Sequence, residues 1–289
     1  MTLEECRRFF AEEVRFTAMV RSPALVEAFA RVPREHFLGP GPWEIASADK
    51  RGLSAMGTVQ MSYMPINDPR QLYHNVVVVL DKAADITNGQ PSALASWIDA
   101  LDLKPGERAY HLGCGVGYYT AVIAEVVGPA GRVIGSEVRA DLAGRARENL
   151  RAYQNVSVHA ADGAVFDPGE SDVMLINAGV THPSPLWLDR LRDGGRLVVP
   201  LTMTTTPTLG IGVMTKIVRR GSMLSAEIVT SIAIYSCKGM RDAQREPLLK
   251  TAIMSGGLMK MKSVRRDAHE RTDDCVVHGA DVCMSCAAS

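Results

Sequence analysis

Three glycines stand between a strand and a helix in this chain, and nothing else in it restricts the fold as much. Residues 108 to 112 read as a short buried strand and residues 118 to 127 as a helix. Gly113-Cys114-Gly115-Val116-Gly117 joins them. Glycine turns without the steric penalty of a side chain and lets a ligand approach the backbone closely, so a glycine-rich turn after a strand is a nucleotide-binding device. One such turn is weak evidence. From residue 105 onward, however, strand and helix alternate. Strands are expected at 108–112, 132–136, 156–160, 173–177 and 196–201, with helices at 118–127, 140–153 and 185–191. This alternation predicts a parallel sheet covered by helices on both faces. Residues 211–218 and 224–235 read as two further strands, antiparallel and joined near Arg220-Gly221.

Chemistry-bearing residues recur where such a sheet binds ligands, at the carboxyl ends of successive strands. His111 ends the first strand. Glu137 ends the second, 20 residues after Gly117, and Val138 follows it. A carboxylate there can accept both hydroxyls of a ribose. Asp162-Gly163 follows the third strand, within reach of an adenine amino group, and Asn177 ends the fourth. The pattern departs from a dinucleotide site: the third glycine of that fingerprint falls on Tyr118. The glycine spacing instead suits S-adenosyl-L-methionine, which has a zwitterionic amino-acid end and no pyrophosphate. The expected cofactor contacts are His111, Gly113, Cys114, Gly115, Gly117, Tyr118, Glu137, Val138, Asp162, Gly163 and Asn177.

Around this core, residues 4 to 31 carry helical spacing, divided by Pro23 with Ser22 as N-cap. Residues 32 to 70 read as an irregular connection rich in Pro, Gly and Met. Residues 72 to 80 read as a strand, and a helix opens at Pro91. The expected division is an N-terminal helical, substrate-side segment (1–103), a Rossmann-like cofactor domain (104–236) and a C-terminal extension (237–289). The fold class is therefore α/β: a Rossmann-like seven-stranded methyltransferase sheet with N-terminal helices and a C-terminal extension.

Val32-Pro33-Arg34-Glu35-His36-Phe37 resembles the Val-Pro-Arg-Glu-x-Phe signature of the protein-L-isoaspartate O-methyltransferases. Gln90-Pro91 is similar to that family's Ser-Gln-Pro element. The glycine loop through Thr120 and the segment 194–201 resemble its glycine loop and last parallel strand. The resemblance runs from about residue 4 to residue 220. It implies carboxyl O-methylation of an aspartyl or isoaspartyl-type acceptor in a peptide or protein, with Asn88 and Gln90 positioning the substrate. Three departures stand out: His111 where the family has an acidic residue, Gly89 where it has the serine that helps hold the substrate carboxylate, and a loosely similar 177–183 turn. They point to specialisation, for example in modifying a peptide natural product. A small-molecule O- or N-methyltransferase and a non-catalytic cofactor-binding module are the alternatives. A carboxylate acceptor is already ionised at neutral pH and needs no base; for a hydroxyl or amine acceptor, His182 is the candidate catalytic base.

The charge balance, 32 Lys and Arg against 32 Asp and Glu, gives no general attraction to nucleic acid. The chain begins without an apolar leader, and its densest apolar run, Val76 to Leu80, is too short to span a bilayer. A cytoplasmic protein with reduced thiols and no membrane or nucleic-acid partner is expected, with room for a homodimer. Cys275-x-x-His278 and Cys283-x-x-Cys286 carry metal-type residues, but four residues between His278 and Cys283 are few for the usual zinc framework. No metal is expected, and the extension is expected to shape acceptor access without being needed by the cofactor site. Its 242–262 segment is expected to pack near residues 50–70 or across a dimer.

Overall fold

The computed structural model describes residues 1–53, 59–84, 86–206 and 208–288, with side chains left aside at 47–53 and 59–61. Three helices open the chain: α1 (Leu3–Thr17), α2 (Pro23–Arg31) and α3 (Arg34–Leu38). A capping box of Thr2 and Glu5 starts α1, and Ser22 caps α2 with Pro23 at its first position. The segment expected to be irregular then forms strands instead. β1 (Trp43–Leu53), β2 (Val59–Ile66), β3 (Val77–Asp81) and β4 (Ile86–Thr87) make an antiparallel sheet ordered β2-β1-β3-β4. Ile66, Leu72 and Val78 are buried with Leu38 beneath it.

After α4 (Pro91–Ala100) come β5 (Arg108–Leu112), α5 (Tyr118–Val127), β6 (Arg132–Glu137), α6 (Ala140–Asn149), β7 (Val156–Ala160) and β8 (Ser171–Ile176). They are followed by α7 (Pro185–Arg190), β9 (Leu191–Thr204), β10 (Leu209–Arg220) and β11 (Met223–Tyr235). β7-β6-β5-β8-β9 pair in parallel, while β10 and β11 add antiparallel to β9. β5 to β11 thus lie in one sheet. The sheet does not stop there. Beyond residue 236 lie α8 (Arg245–Met254), β12 (Ser263–Arg265), β13 (Cys275–Val277) and β14 (Cys283–Ser285), and the three short strands extend the edge. The described order is β13-β14-β12-β11-β10-β9-β8-β5-β6-β7, ten strands rather than seven.

Alternation along the strands divides the core into two layers. Ala109, Val133, Val173, Leu175 and Val198 face α1, α2, α4, α5 and α6. Tyr110, Leu112, Met174, Ile176, Leu197, Val199 and Leu201 face the other way, onto α7, α8 and the residues after 257. The 242–262 segment therefore packs on the second face of the sheet, through Leu249, Ala252, Leu258 and Met261. This corrects the expectation that it lies near residues 50–70 or across a dimer. An apolar sheet face must be covered, and two turns of α7 are too short to cover this one.

Among the described residues no helix is long and apolar enough to cross a membrane.

Candidate active site

The strand order reverses between β5 and β8: the chain moves out from β5 through β6 to β7 and returns to β8 on the other side. Ligands of open α/β sheets bind at this switch, beyond the carboxyl ends of the strands. The glycine loop sits there. Gly113, Gly115 and Gly117 have φ of +74°, +55° and +93°, where side-chain-bearing residues are strained. A Cβ on Gly117 would lie 2.7 Å from Leu150 Cδ1, whereas one on Gly115 would meet nothing within 4 Å. Gly117 therefore lets α5 close onto α6, and Gly115 leaves an open cradle over the loop.

Glu137 holds this loop from the end of β6. Its Oε2 accepts from the Gly115 amide at 3.0 Å and its Oε1 from the Arg139 amide at 3.0 Å. An ionised carboxylate offers about four lone-pair directions, so acceptor capacity remains. Val138, beside it, is exposed. On the other side of the switch Asn177 Nδ2 donates to the Gly113 carbonyl at 3.3 Å. After β7, Asp162 Oδ1 accepts from the Ala164 amide, and the Gly163 carbonyl accepts from Trp187 Nε1 at 3.1 Å. A Cβ on Gly163 would stand 2.2 Å from Leu112 Cδ1, so any side chain there would have to displace Leu112. Glu137, Val138, Asp162, Gly163, Asn177 and the three loop glycines thus gather along one rim.

Three expected contacts turn inward instead. His111 is wholly buried with Nδ1 2.9 Å from Thr120 Oγ1 of α5, and burial pushes its pKa down to about 3. It is a neutral ring wedged between sheet and helix, supporting the loop from beneath. Cys114 packs on Gly135, and burial pushes its thiol up. The Tyr118 ring sits among Phe29, Phe37 and Tyr119. These three can touch a cofactor through their backbone only.

The Val32–Phe37 signature builds the segment expected to lie on the substrate side. Arg34 is buried and donates to the carbonyls of Leu72, His74 and Val76, over the Phe10 ring. Its amide donates to the Tyr73 hydroxyl, which in turn donates to Glu35. The loop so fixed presents Asn75, whose Oδ1 accepts from the Ser92 amide at 2.9 Å and caps α4. Asn88-Gly89-Gln90 precedes that helix. Tyr119 Oη, in the first turn after the glycine loop, lies 3.5 Å from the Gly89 carbonyl, joining acceptor and cofactor elements. Asn88 is 9% exposed and its Nδ2 is buried without a hydrogen-bond partner. Gly89 has φ +75°, and a Cβ there would lie 2.9 Å from Leu94 Cδ2.

His182 is bonded to Thr181 Oγ1 at 3.0 Å. Burial first, then Arg245, depress its pKa to about 4, with Asp281 and Asp242 opposing. It faces the C-terminal extension and is neutral at pH 7.

Several contributors carried no local signal. Arg139 bonds Asp81 at the end of β3, bringing the small sheet to the rim beside Glu137. Residues 236–242 run along the 179–182 turn, through Gly179 N to Tyr235 O, Cys237 N to Gly179 O and Asp242 N to Thr181 Oγ1. They bring Gly239 against Ala164 and Asp162, where a Cβ would lie 3.0 and 3.2 Å from them. The extension therefore lies directly against Asp162. A surface groove bounded by Arg31, Glu125, Arg132, Gln154 and Asn155 opens at the opposite, amino-terminal end of the strands and takes no part.

The family model described as Protein-L-isoaspartate(D-aspartate) O-methyltransferase matches residues 7–227. A protein-L-isoaspartate O-methyltransferase of Aeropyrum pernix is 32% identical over 72% of this chain and 70% of its own length. One of Ignicoccus hospitalis is 28% identical over 69% of this chain and 83% of its own. Among solved structures, a protein-L-isoaspartate O-methyltransferase superposes with TM-score 0.64 at 22% identity, over 83% of this chain and 69% of that one. A putative one from Plasmodium falciparum, in complex with S-adenosyl-L-homocysteine, gives 0.58 at 17% identity, over 80% and 98%. The glycine loop, the signature at residues 32–37 and the sheet order agree with these matches, and the chain belongs to the protein-L-isoaspartate(D-aspartate) O-methyltransferase family, a family of S-adenosylmethionine-dependent methyltransferases.

Proposed function

We propose that this chain transfers a methyl group to a side-chain carboxylate of a particular peptide or protein, and is specialised away from general isoaspartyl repair. The open cradle over Gly115 and the carboxylate of Glu137 fit S-adenosylmethionine: Glu137 takes the ribose hydroxyls, Asp162 the adenine amino group, and the loop backbone from Gly113 to Gly117, with Asn177, the amino-acid end. When bound, the cofactor supplies an electrophilic methyl group on a sulfonium centre that departs as a neutral thioether. The protein then need not protonate a leaving group or ionise a carboxylate acceptor. Its work is to hold the acceptor in line and exclude water. Asn88 Nδ2, a buried donor with no partner, and the Gln90 amide are the groups proposed to hold that carboxylate.

The single observation that carries specialisation is Gly89. The family's serine hydroxyl is missing, and a side chain there would be strained by the left-handed backbone and would have to displace Leu94 Cδ2, 2.9 Å from the Cβ position. The test is methyl incorporation from labelled donor. Unrelated isoaspartyl peptides should be methylated weakly while S-adenosylhomocysteine binds tightly, and the true acceptor should gain a base-labile ester. Robust methylation of unrelated isoaspartyl peptides would show a general repair enzyme. Base-stable label on a metabolite would show a small-molecule methyltransferase.

A further inference from the structure

In the C-terminal extension four side chains converge on one point. His269, Cys275, His278 and Cys283 each offer one ligand atom, and these atoms all lie within 4.8 Å of one another. They come from the loop between β12 and β13, the first residue of β13, the residue just after it and the first residue of β14. We propose that they form a structural Cys2His2 zinc site that clips β12, β13 and β14 together at the edge of the large sheet.

The donor set fits one small cation. Two thiolates and two neutral imidazoles select zinc among the common metals, and they balance its charge, as a buried site requires. The two thiol protons leave to solvent on binding, and no electron moves. Tetrahedral zinc with sulfur at about 2.3 Å and nitrogen at about 2.0–2.1 Å sets ligand atoms about 3.3–3.8 Å apart. Cys275 Sγ and His269 Nε2 are already 3.6 Å apart. The rest need close by no more than about 1.5 Å, which side-chain torsions supply. Four protein ligands leave no open position, so the site is structural rather than catalytic.

The surroundings orient these atoms. His269 Nδ1 lies 2.8 Å from the Asp267 carbonyl oxygen. A carbonyl only accepts, so Nδ1 carries the proton and the Nε2 lone pair faces Cys275. The Thr272 amide donates to Cys275 Sγ at 3.3 Å, a bond that favours a thiolate. His278 Nδ1 is buried with no hydrogen-bond partner in the protein. The two imidazoles stand edge to face, centroids 5.0 Å apart at 77°, so they converge rather than stack.

The fold also needs a clip here. Each of the three strands has three residues, and β12 is registered to β11 by the single pair Ser225 and Ser263. Strands so short hold poorly by ladder bonds alone. Yet Val264, Val277, Val282 and Met284 on and beside them close the second layer of the core. The spacing Cys283-x-x-Cys286 is misleading: Cys286 turns toward Asp274, its Sγ 3.6 Å from Oδ1, and His269 takes its place.

The full chain, purified under reducing conditions without chelator, should carry about one zinc by mass spectrometry of the metal. Cys283→Ser and His278→Ala should each lower that content about tenfold or more, while Cys286→Ser keeps it. Should those variants fold poorly, cobalt(II) exchanged into the unaltered chain decides: intense visible bands with sulfur-to-cobalt charge transfer mean a tetrahedral thiolate site. A native mass two hydrogens lower with Cys275 linked to Cys283, metal-free protein that gives no such cobalt spectrum, or equal metal loss in Cys286→Ser would each overturn the proposal.

Discussion

Glu137 and Arg34 show how single side chains set this site. Glu137 joins the glycine loop to the start of α6 through two backbone amides, so it organises the rim before any ligand arrives. Glu137→Ala should weaken S-adenosylhomocysteine binding by about 1.5–3 kcal/mol, or about 10- to 150-fold, as read by calorimetry. Arg34 donates hydrogen bonds to three backbone carbonyls at once, which explains an arginine inside the signature at residues 32–37. Arg34→Ala would leave those acceptors and a cavity unsatisfied; a loss of about 3 kcal/mol or more in denaturant unfolding is expected. His111 makes the fold sensitive to acid. Its pKa is held near 3 in the fold against about 6.5 in the unfolded chain, so the unfolded chain binds a proton that the folded one refuses. Stability contributed this way is complete above pH 6.5 and falls as pH drops toward 3, with a slope of at most about 1.4 kcal/mol per unit. His111→Gln should flatten the wild-type decline between pH 6 and 5; an unchanged slope would count against a neutral, buried ring.

At the scale of elements, two turns act as rigid junctions. The turn after β7 presses Gly163 onto Leu112, the residue that leads into the glycine loop. Gly163→Ala should overpack this contact, destabilising the protein by about 1–3 kcal/mol and weakening S-adenosylhomocysteine binding as Leu112 is displaced. If thermal unfolding and affinity both stay at wild type, Leu112 can move out of the way of a Cβ that would otherwise lie 2.2 Å from it. The junction 88–90 behaves alike. Gly89→Ser puts a hydroxyl back where the family has one, but at φ +75° it should lower stability by about 1–2 kcal/mol without raising isoaspartyl methylation.

For the whole molecule, the extension changes what can be cut away. The residues after 235 cover one face of the sheet and place Gly239 against Asp162. Truncation after Tyr235 should expose Leu197, Leu201, Val213 and Ile217, so the shortened chain should aggregate or melt without cooperativity and lose S-adenosylhomocysteine binding. A soluble truncated chain with unchanged affinity would show that the extension only decorates the core. The small sheet is tied to the large one as well, since Arg139 beside Glu137 bonds Asp81 at the end of β3.

What the sequence determined by itself was local. The helix 118–127, the strands 108–112 and 156–160, the cap at Ser22 and the three glycines are written in contiguous residues through period, turn chemistry and capping. The shared edge on which Glu137, Asp162 and Asn177 stand was legible because strand ends in a parallel sheet point to one edge. The tertiary structure decided which side chains turn away from that edge, as His111, Cys114 and Tyr118 do, because a strand-end position fixes height in the sheet but not what the neighbouring helix demands. It also decided the sheet made by residues 43–87, the three strands added beyond residue 262 and the choice of His269 over Cys286. Each of these depends on an apolar face or a strand edge contributed from a distant part of the chain, and such pairings leave no periodic trace in the residues that answer them.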